Sequence, residues 1–564
     1  MTLKKNSIQE TTSSVSLENE PLLDVEQIQG NVIGGFNKSF QEFLFYEIVD
    51  PAKAKQWIQS IIPQIKVSSA KEVVTFNRLY QTMMSKNGTE PSGLIATWVN
   101  IVFSYSGLKK LVSEELMRDF SSRGAFASGM KKRAKLLGDP SDEGAEGNPK
   151  NWVLGGEQNS PEVLVIVASD SEEELNKKTR EIKLSVEDSR TLFDNGLKFV
   201  FKESGRVRSD LPGHEHFGFR DGVSQPGVRG LFSETPGDTI TKRWINPSDK
   251  AFQTDAEPGE KLIWPGEFVF GYPSQSDLSL DPIPVEESEL PIKYGVPTWA
   301  KNGSFLVVRR LRQDVEGFWK FLSEKSAEVN LSPTLLGAKM VGRWPSGAPI
   351  MRSPEADNTI LGKDDHANNN FNYENDTPEV TLKPDLNYTD EFPKAKRDFF
   401  GNVCPLSAHI RKVNPRDAAT DVGSSQVRRI IRRGIPFGPP LKIDTRNLST
   451  PFPKDEVNGN RGLMFLCYQT RIEFQFEFLS QKWANSIEQP SGKRCIGSDE
   501  ACENKKPGQD PIIGQNDEQN RARHFMYEPN KSIDIMKEFV VPTGGEYYFQ
   551  PSIKALETII SPFN

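Results

Sequence analysis

Val163-Leu164-Val165-Ile166-Val167-Ala168, followed at once by Asp170-Ser171-Glu172-Glu173, is the stretch from which the architecture of this chain is read. A short, wholly apolar run rich in β-branched residues suits a strand covered on both faces. The carboxylates behind it mark a helix start, where negative charge meets the positive end of the helix dipole. The same order appears around it. Phe43 to Ile48 reads as a strand before a helical stretch over 51–62, and Val99 to Ser104 runs into the short amphipathic helix Gly107 to Leu111. Strands alternating with helices predict an α+β sheet packed by helices. The pattern recurs further on. Phe305 to Leu311 is a strand entering a helix near 313–326, and Leu463 to Tyr468 enters a helix near 472–484.

The chain therefore reads as two sheet-and-helix domains of similar design, at 25–230 and 231–564. A Ser-, Thr- and Glu-rich flexible tail over 1–24 precedes them. Residues 231–300, rich in Pro, Asp and Glu, and 345–395, rich in Asn, Asp and Pro, read as loop insertions. With 564 residues, 36% hydrophobic and 26% charged, the composition is that of a globular protein with a sizeable core. A net charge of −7 argues against nucleic acid as a partner. No apolar run reaches the ~18 residues of a membrane span, and the first residues carry no apolar core of a secretory signal. The expectation is a cytoplasmic protein without a membrane partner, with non-classical secretion left open. Cys404 and Cys467 stand in apolar contexts and read as buried thiols. Cys495 and Cys502 stand in a polar loop and are either paired or free.

Two segments carry chemistry: His216-Phe217-Gly218-Phe219-Arg220-Asp221-Gly222, and Cys404-Pro405-Leu406-Ser407-Ala408-His409-Ile410-Arg411, which continues to Arg416. The first sets a carboxylate on a turn bracketed by glycines. The second sets an imidazole just ahead of cations. The chain has five histidines, so a histidine-held cofactor draws on a short roll. His366 lies in the Asn/Asp-rich loop and His524 in a charged stretch, which leaves His409 as the strongest ligand candidate. Plainer readings exist: Asp221 closing an Asp-Gly turn, or Arg428, Arg429, Arg432 and Arg433 forming a solvated cluster. Apolar Ile430, Ile431 and Ile435 argue that part of that cluster is buried.

These segments resemble the dye-decolorising peroxidases. Gly218 to Gly222 is similar to the family's GxxDG motif. Cys404 to Arg416 is similar to its proximal-histidine segment, and Arg428 to Gly438 to its distal-arginine segment. Further similar stretches run from Ile28-Gln29-Gly30-Asn31 to Asp510-Pro511-Ile512-Ile513-Gly514. The resemblance implies two ferredoxin-like domains, each an antiparallel sheet with packed helices, and haem b held mainly by the C-terminal one. It implies a peroxidase that uses hydrogen peroxide to oxidise bulky organic reductants, dyes and phenolics, through compound I. His409 would be the axial ligand to the haem iron, its other ring nitrogen donating to a carboxylate, by position Asp510, with Glu473 as the runner-up. Asp221 would move the peroxide proton, and Arg432 would stabilise developing negative charge. Leu463 and Phe465 would cover the same side, and His216 and Arg416 would hold the haem propionates. A homo-oligomer is left open. The rival readings are a haem-binding or haem-transfer protein without turnover, which needs neither Asp221 nor Arg432, and a carboxylate-pair hydrolase, which leaves Cys404 to Arg416 without a purpose.

Overall fold

The computed structural model describes residues 20–88, 93–121, 124–157, 159–187, 196–243, 254–275, 296–377, 380–381, 391–392, 394–417, 425–443, 459–489, 507–515 and 523–561. Cys495 and Cys502 lie outside them. The chain begins its sheet with β1 (Phe40–Ile48), β2 (Thr97–Ser104), β3 (Val163–Ser169) and β4 (Leu197–Arg206). These pair antiparallel in the order β4-β1-β3-β2. The second half supplies β5 (Ser304–Gln313), the two short pieces β6 (Ile431–Arg432) and β7 (Ile435–Phe437), β8 (Gly462–Gln469) and β9 (Val540–Gln550). β6 and β7 lie end to end on one side of β8, whose other side pairs with β5, and β5 pairs with β9. Counting β6 and β7 as one strand, both halves have the spatial order 4-1-3-2, the ferredoxin-like arrangement expected.

The halves are not separate bodies. β9 joins β2 through Tyr548–Ser104 and Phe549–Phe103, and β7 joins β4 through Phe437–Gly205. In each seam the last strand of one half meets the second strand of the other, so the sheet closes into a barrel without a free edge. Gly205 is required at its seam, because a Cβ there would stand 2.4 Å from Ile435 Cγ2.

Strand alternation sorts the core into two layers. Phe43, Phe45, Val102, Leu164, Ile166, Leu306, Val308, Met464, Leu466 and Tyr548 pack as one cluster. Leu44, Tyr46, Val99, Ile101, Phe103, Val163, Val165 and Val167 pack instead with Trp57 and Ile58 of α1 (Pro51–Ile61). They also meet Leu175 and Ile182 of α3 (Glu172–Glu187). Helices do not fit inside a barrel this narrow, so the first cluster is the interior and the second the outer layer. Leu23, Ile28, Val32 and Phe36 join the interior cluster.

Local signals explain the helices. Asp50 caps α1 by accepting from Ala52 and Lys53, with Pro51 at the first position. Ser69 and Glu72 form a capping box on α2 (Ala70–Asn87). Asp314 caps α4 (Val315–Val329), and Ser332 caps α5 (Pro333–Val341). The helix expected near 472–484 is instead a single turn, Phe476–Phe478, running into a wider π-helical coil, Leu479–Ala484.

Two sequence expectations need correction. The tail to residue 24 is packed from Glu20 onward, where Glu20 takes Arg229 at 2.8 Å and Arg243 at 2.5 Å, and Leu23 is buried. The region 345–395 is more than a surface insertion. Ala348, Ile350, Met351, Leu361, Phe371 and Tyr373 form a core with Cys404 and Ala408, so apolar residues spaced among Asn and Asp build a floor. Cys404 and Cys467 are buried free thiols, as expected. Among the described residues no helix is long and apolar enough to cross a membrane.

Candidate active site

The outer face of the second half-sheet carries Arg309, Leu311 and Gln313 from β5 and Leu463 and Phe465 from β8. These residues line a cavity of about 270 Å³ together with Asp221, Arg343, His409 and Arg432. A neighbouring lobe of about 180 Å³ shares His409, Arg343, Arg432 and Phe465 and is bounded further by Arg416 and Arg429.

His409 opens the short helix α6 (His409–Val413). Its backbone is held from behind. Asp398 accepts from Asn402, Val403 and Cys404, Arg411 donates to the Cys404 and Asp398 carbonyls, and buried Lys412 donates to Ser486 O at 2.8 Å. His409 Nδ1 is 2.8 Å from Asp510 Oδ2. The other Asp510 oxygen accepts from Ile512 N at 2.8 Å and Ile513 N at 3.0 Å. Asp510 is fully buried. Burial raises its pKa, but the charge and hydrogen bond of His409 and the two backbone N–H groups outweigh that and hold it below the usual carboxylate range. An ionised partner fixes Nδ1 as the donor and leaves Nε2 without a protein partner among the described residues. Glu473 is elsewhere and accepts from Ala125 N at 2.7 Å.

Asp221 sits on the loop between β4 and the second half. Gly222 there has φ +76°, a conformation that glycine adopts without strain. Asp221 Oδ1 accepts from Gly222 N at 2.6 Å and from Arg432 Nη1 at 2.8 Å, which leaves Oδ2 to the cavity. Arg432 Nη2 donates to Ser224 O, while Gln225 clasps the Arg432 backbone through both its N and its O. Burial pushes the Asp221 carboxyl up, yet the Arg432 charge and the two hydrogen bonds prevail, so it lies below the ordinary range. Strand alternation turns Arg433 away from the cavity, where it donates to the carbonyls of Asn31, Val32 and Ile33.

Leu463 and Phe465 stand on the same face of β8, as their spacing requires. Arg416 borders the second lobe at φ +56°, held by the carbonyls of Asn369 and Phe371 and by the Asn369 amide. His216 is not brought to the cavity. Its Nε2 lies 2.8 Å from Phe437 O, and it is 2% exposed. Burial drives its pKa down to about 4, so it is neutral at ordinary pH and offers no cation to a propionate.

The sequence reading missed Arg343, Glu215, Gln313 and Arg429. Arg343 donates to the carbonyls of Gly347 and Asn368 and to the Asn369 amide oxygen, and burial with nearby Arg416 lowers its pKa to about 9. Three guanidinium groups, those of Arg343, Arg416 and Arg429, thus meet around one lobe. The hydrogen bonds of the first two go to amide oxygens rather than carboxylates. Guanidinium groups gathered in a buried space, with no carboxylate hydrogen-bonded to those of Arg343 and Arg416 among the described residues, suit an anionic ligand.

Known proteins resemble the chain over nearly its whole length. Over 550 residues the chain is 30% identical to Peroxidase 2 of Mycetinis scorodonius, covering 96% of this chain and 88% of the relative. The chain belongs to the dye-decolorising peroxidases. Dye-decolorising peroxidases are haem enzymes, and the chain is an oxidoreductase of that class. Residues 27–209 match the family described as the DyP dimeric alpha+beta barrel domain. The chain is also 30% identical over 548 residues to the dye-decolorizing peroxidase AauDyP1 of Auricularia auricula-judae, covering 95% of this chain and 86% of that one. Among solved structures, an ancestral D-type dye decolorizing peroxidase superposes with a TM-score of 0.70 at 33% identity, covering 96% of this chain and all of that one.

Proposed function

We propose that the cavity would hold haem b, with His409 Nε2 as the protein's ligand to its iron and the Asp221–Arg432 pair at hand for peroxide, and that the enzyme reduces hydrogen peroxide at the expense of bulky organic donors such as dyes and phenols. One observation carries this reading. A carboxylate-bound imidazole with a free nitrogen and an acid–guanidinium pair line one cavity, brought there from three separate segments of the chain. The donor set fits the group, because Arg343, Arg416 and Arg429 of the second lobe would take its two carboxylates while Leu463, Phe465 and Phe476 of the first cavity would face its apolar surface.

When bound, haem supplies an iron that accepts two oxidising equivalents from peroxide and delivers them to the reductant. The rest of the chemistry belongs to the chain. Asp510 holds the His409 ring and raises its basicity. Asp221, ionised, accepts the peroxide proton at Oδ2 and returns it to the departing oxygen, so that water leaves. Arg432 fixes the Asp221 carboxylate through Oδ1 and stabilises the negative charge that develops. Leu463 and Phe465 keep bulk water off that side.

A haem-transfer protein would have no use for an acid paired with a guanidinium over the ligand, which disfavours that reading. The test is peroxide-dependent oxidation of an anthraquinone dye by the haem-loaded protein and by Asp221→Asn. The wild type is expected to turn over, and the variant to keep its Soret band and lose turnover. A wild type that binds haem but leaves the dye unoxidised would favour the transfer role.

A further inference from the structure

A second cavity, of about 530 Å³, lies on the outer side of the Asp221 loop and is lined by Lys38, His214 and Arg433 among others. It shares Asp221, Arg432 and Glu215 with the inner cavity, so these three ionisable side chains form the wall between the two. Asp221 and Arg432 are bound to each other. Glu215 has no part in the chemistry above.

Its contacts give it one. One Glu215 oxygen accepts from Phe217 N at 2.7 Å and the other from Phe219 N at 2.8 Å. Glu215 N in turn donates to Phe219 O at 3.1 Å. The side chain therefore sits inside the turn 215–219 and sets the path that ends at Asp221. A third donor, Gln313 Nε2 on β5, ties the same carboxyl to the barrel. Gln313 is 5% exposed, and its own Oε1 has no hydrogen-bond partner. A buried acceptor without a donor is costly. A half-turn of the Gln313 amide would bring Oε1 to the Glu215 carboxyl and give it a donor, provided that Glu215 carries a proton.

We propose that Glu215 and Gln313 form a protonation-sensitive latch on the turn that positions Asp221. Ionised, Glu215 accepts from Gln313 Nε2. Protonated, it donates to Gln313 Oε1 after the amide turns over, and the negative charge beside Asp221 disappears. Burial, and then the nearby Asp221 charge, raise the Glu215 pKa to about 7 against the pull of its three donors. The charged and titratable groups facing it are Asp221 on its own loop, Arg208 on its backbone carbonyl at 2.8 Å, Arg432 on β6, and His214 and Lys38 across the outer cavity. The neutral latch is the faster state, because a second carboxylate beside Asp221 opposes the build-up of negative charge on peroxide.

The latch rests on the role given to Asp221, and the tests separate the two. The rate constant for reaction of the haem-loaded enzyme with hydrogen peroxide is measured by rapid mixing from about pH 5 to about pH 9, a range that brackets this group. The wild type should lose about tenfold across that range, the equivalent of one pKa unit of charge interaction, and Glu215→Gln should stay flat. A Glu215→Gln profile that keeps the wild-type fall overturns the latch, whereas an Asp221→Asn enzyme as fast as wild type overturns the Asp221 role instead. Infrared difference spectra of the wild type alone give a second reading that needs no variant to fold. The carbonyl stretch of a buried carboxylic acid should be present at acid pH and vanish around neutrality. Its absence at acid pH overturns the latch.

Discussion

The two half-sheets share one strand order, and what covers their outer faces separates them. In the first half the outer residues of β1, β2 and β3 are mostly apolar, from Leu44 and Tyr46 to Ile101 and Val165, and α1 and α3 seal them. In the second half one end of the β5–β8 pair is alike, with Phe305, Val307 and Cys467 in the same outer layer. The other end of the pair carries Arg309, Leu311, Gln313, Leu463 and Phe465, and a cavity opens over them. Topology supplies the platform twice, and a few polar residues at one end of one platform decide where chemistry takes place.

The sharpest way to break this comparison is His409→Ala. It removes the imidazole nitrogen that faces the cavity without touching the barrel, and should lose most of the haem, read from the Soret absorbance of the purified protein. Next, Asp221→Asn should keep haem and slow the reaction with peroxide by roughly 10²–10⁴-fold, the usual reach of a general acid–base group. Rates near wild type would remove Asp221 from its role. Asp510→Asn should keep haem, lower activity by about 10–100-fold as loss of a carboxylate behind a metal-bound histidine does, and raise the reduction potential. An unchanged potential would show that the carboxylate does not tune the ligand.

Arg432→Leu sharpens the same side. Asp221 acts as a base, so activity is present above its pKa and lost as pH falls through it. Arg432 helps to hold that pKa below the usual ~3.9. Removing the guanidinium should move the acid limb of the pH–rate profile upward, and a limb that stays in place would contradict the pairing. In the first half, Leu44→Ala should cost about 2–5 kcal/mol of folding stability, as other fully buried leucines do, and leave the peroxide reaction of the folded enzyme unchanged. A slowed reaction would mean that the sealed half reaches the site after all.

Much of this was legible in the sequence. The apolar runs at 163–168 and 463–468 fall within β3 and β8, and strand alternation put Leu463 with Phe465 and Arg432 apart from Arg433. Closure of the barrel was not legible, because its seams are one and two residue pairs long and carry no periodicity of their own. The packed floor at 345–395 was hidden by its Asn and Asp content, and Arg343 by its place just past a helix end. Asp510 could be put ahead of Glu473 by position alone, since the backbone hydrogen bonds at 512 and 513 that fix it are not announced by the local pattern. Glu215 stood in plain view between two histidines, but its neighbours across the turn are set by the fold.

The two seams have a consequence for how such a chain can arise. Each joins the last strand of one half to the second strand of the other, so the same contact is made twice about an approximate dyad. A half-length polypeptide with this strand order could therefore complete the identical cylinder by pairing with its twin. Fusing two such genes would free one copy to keep its sealed coat while the other hollowed out a reaction chamber.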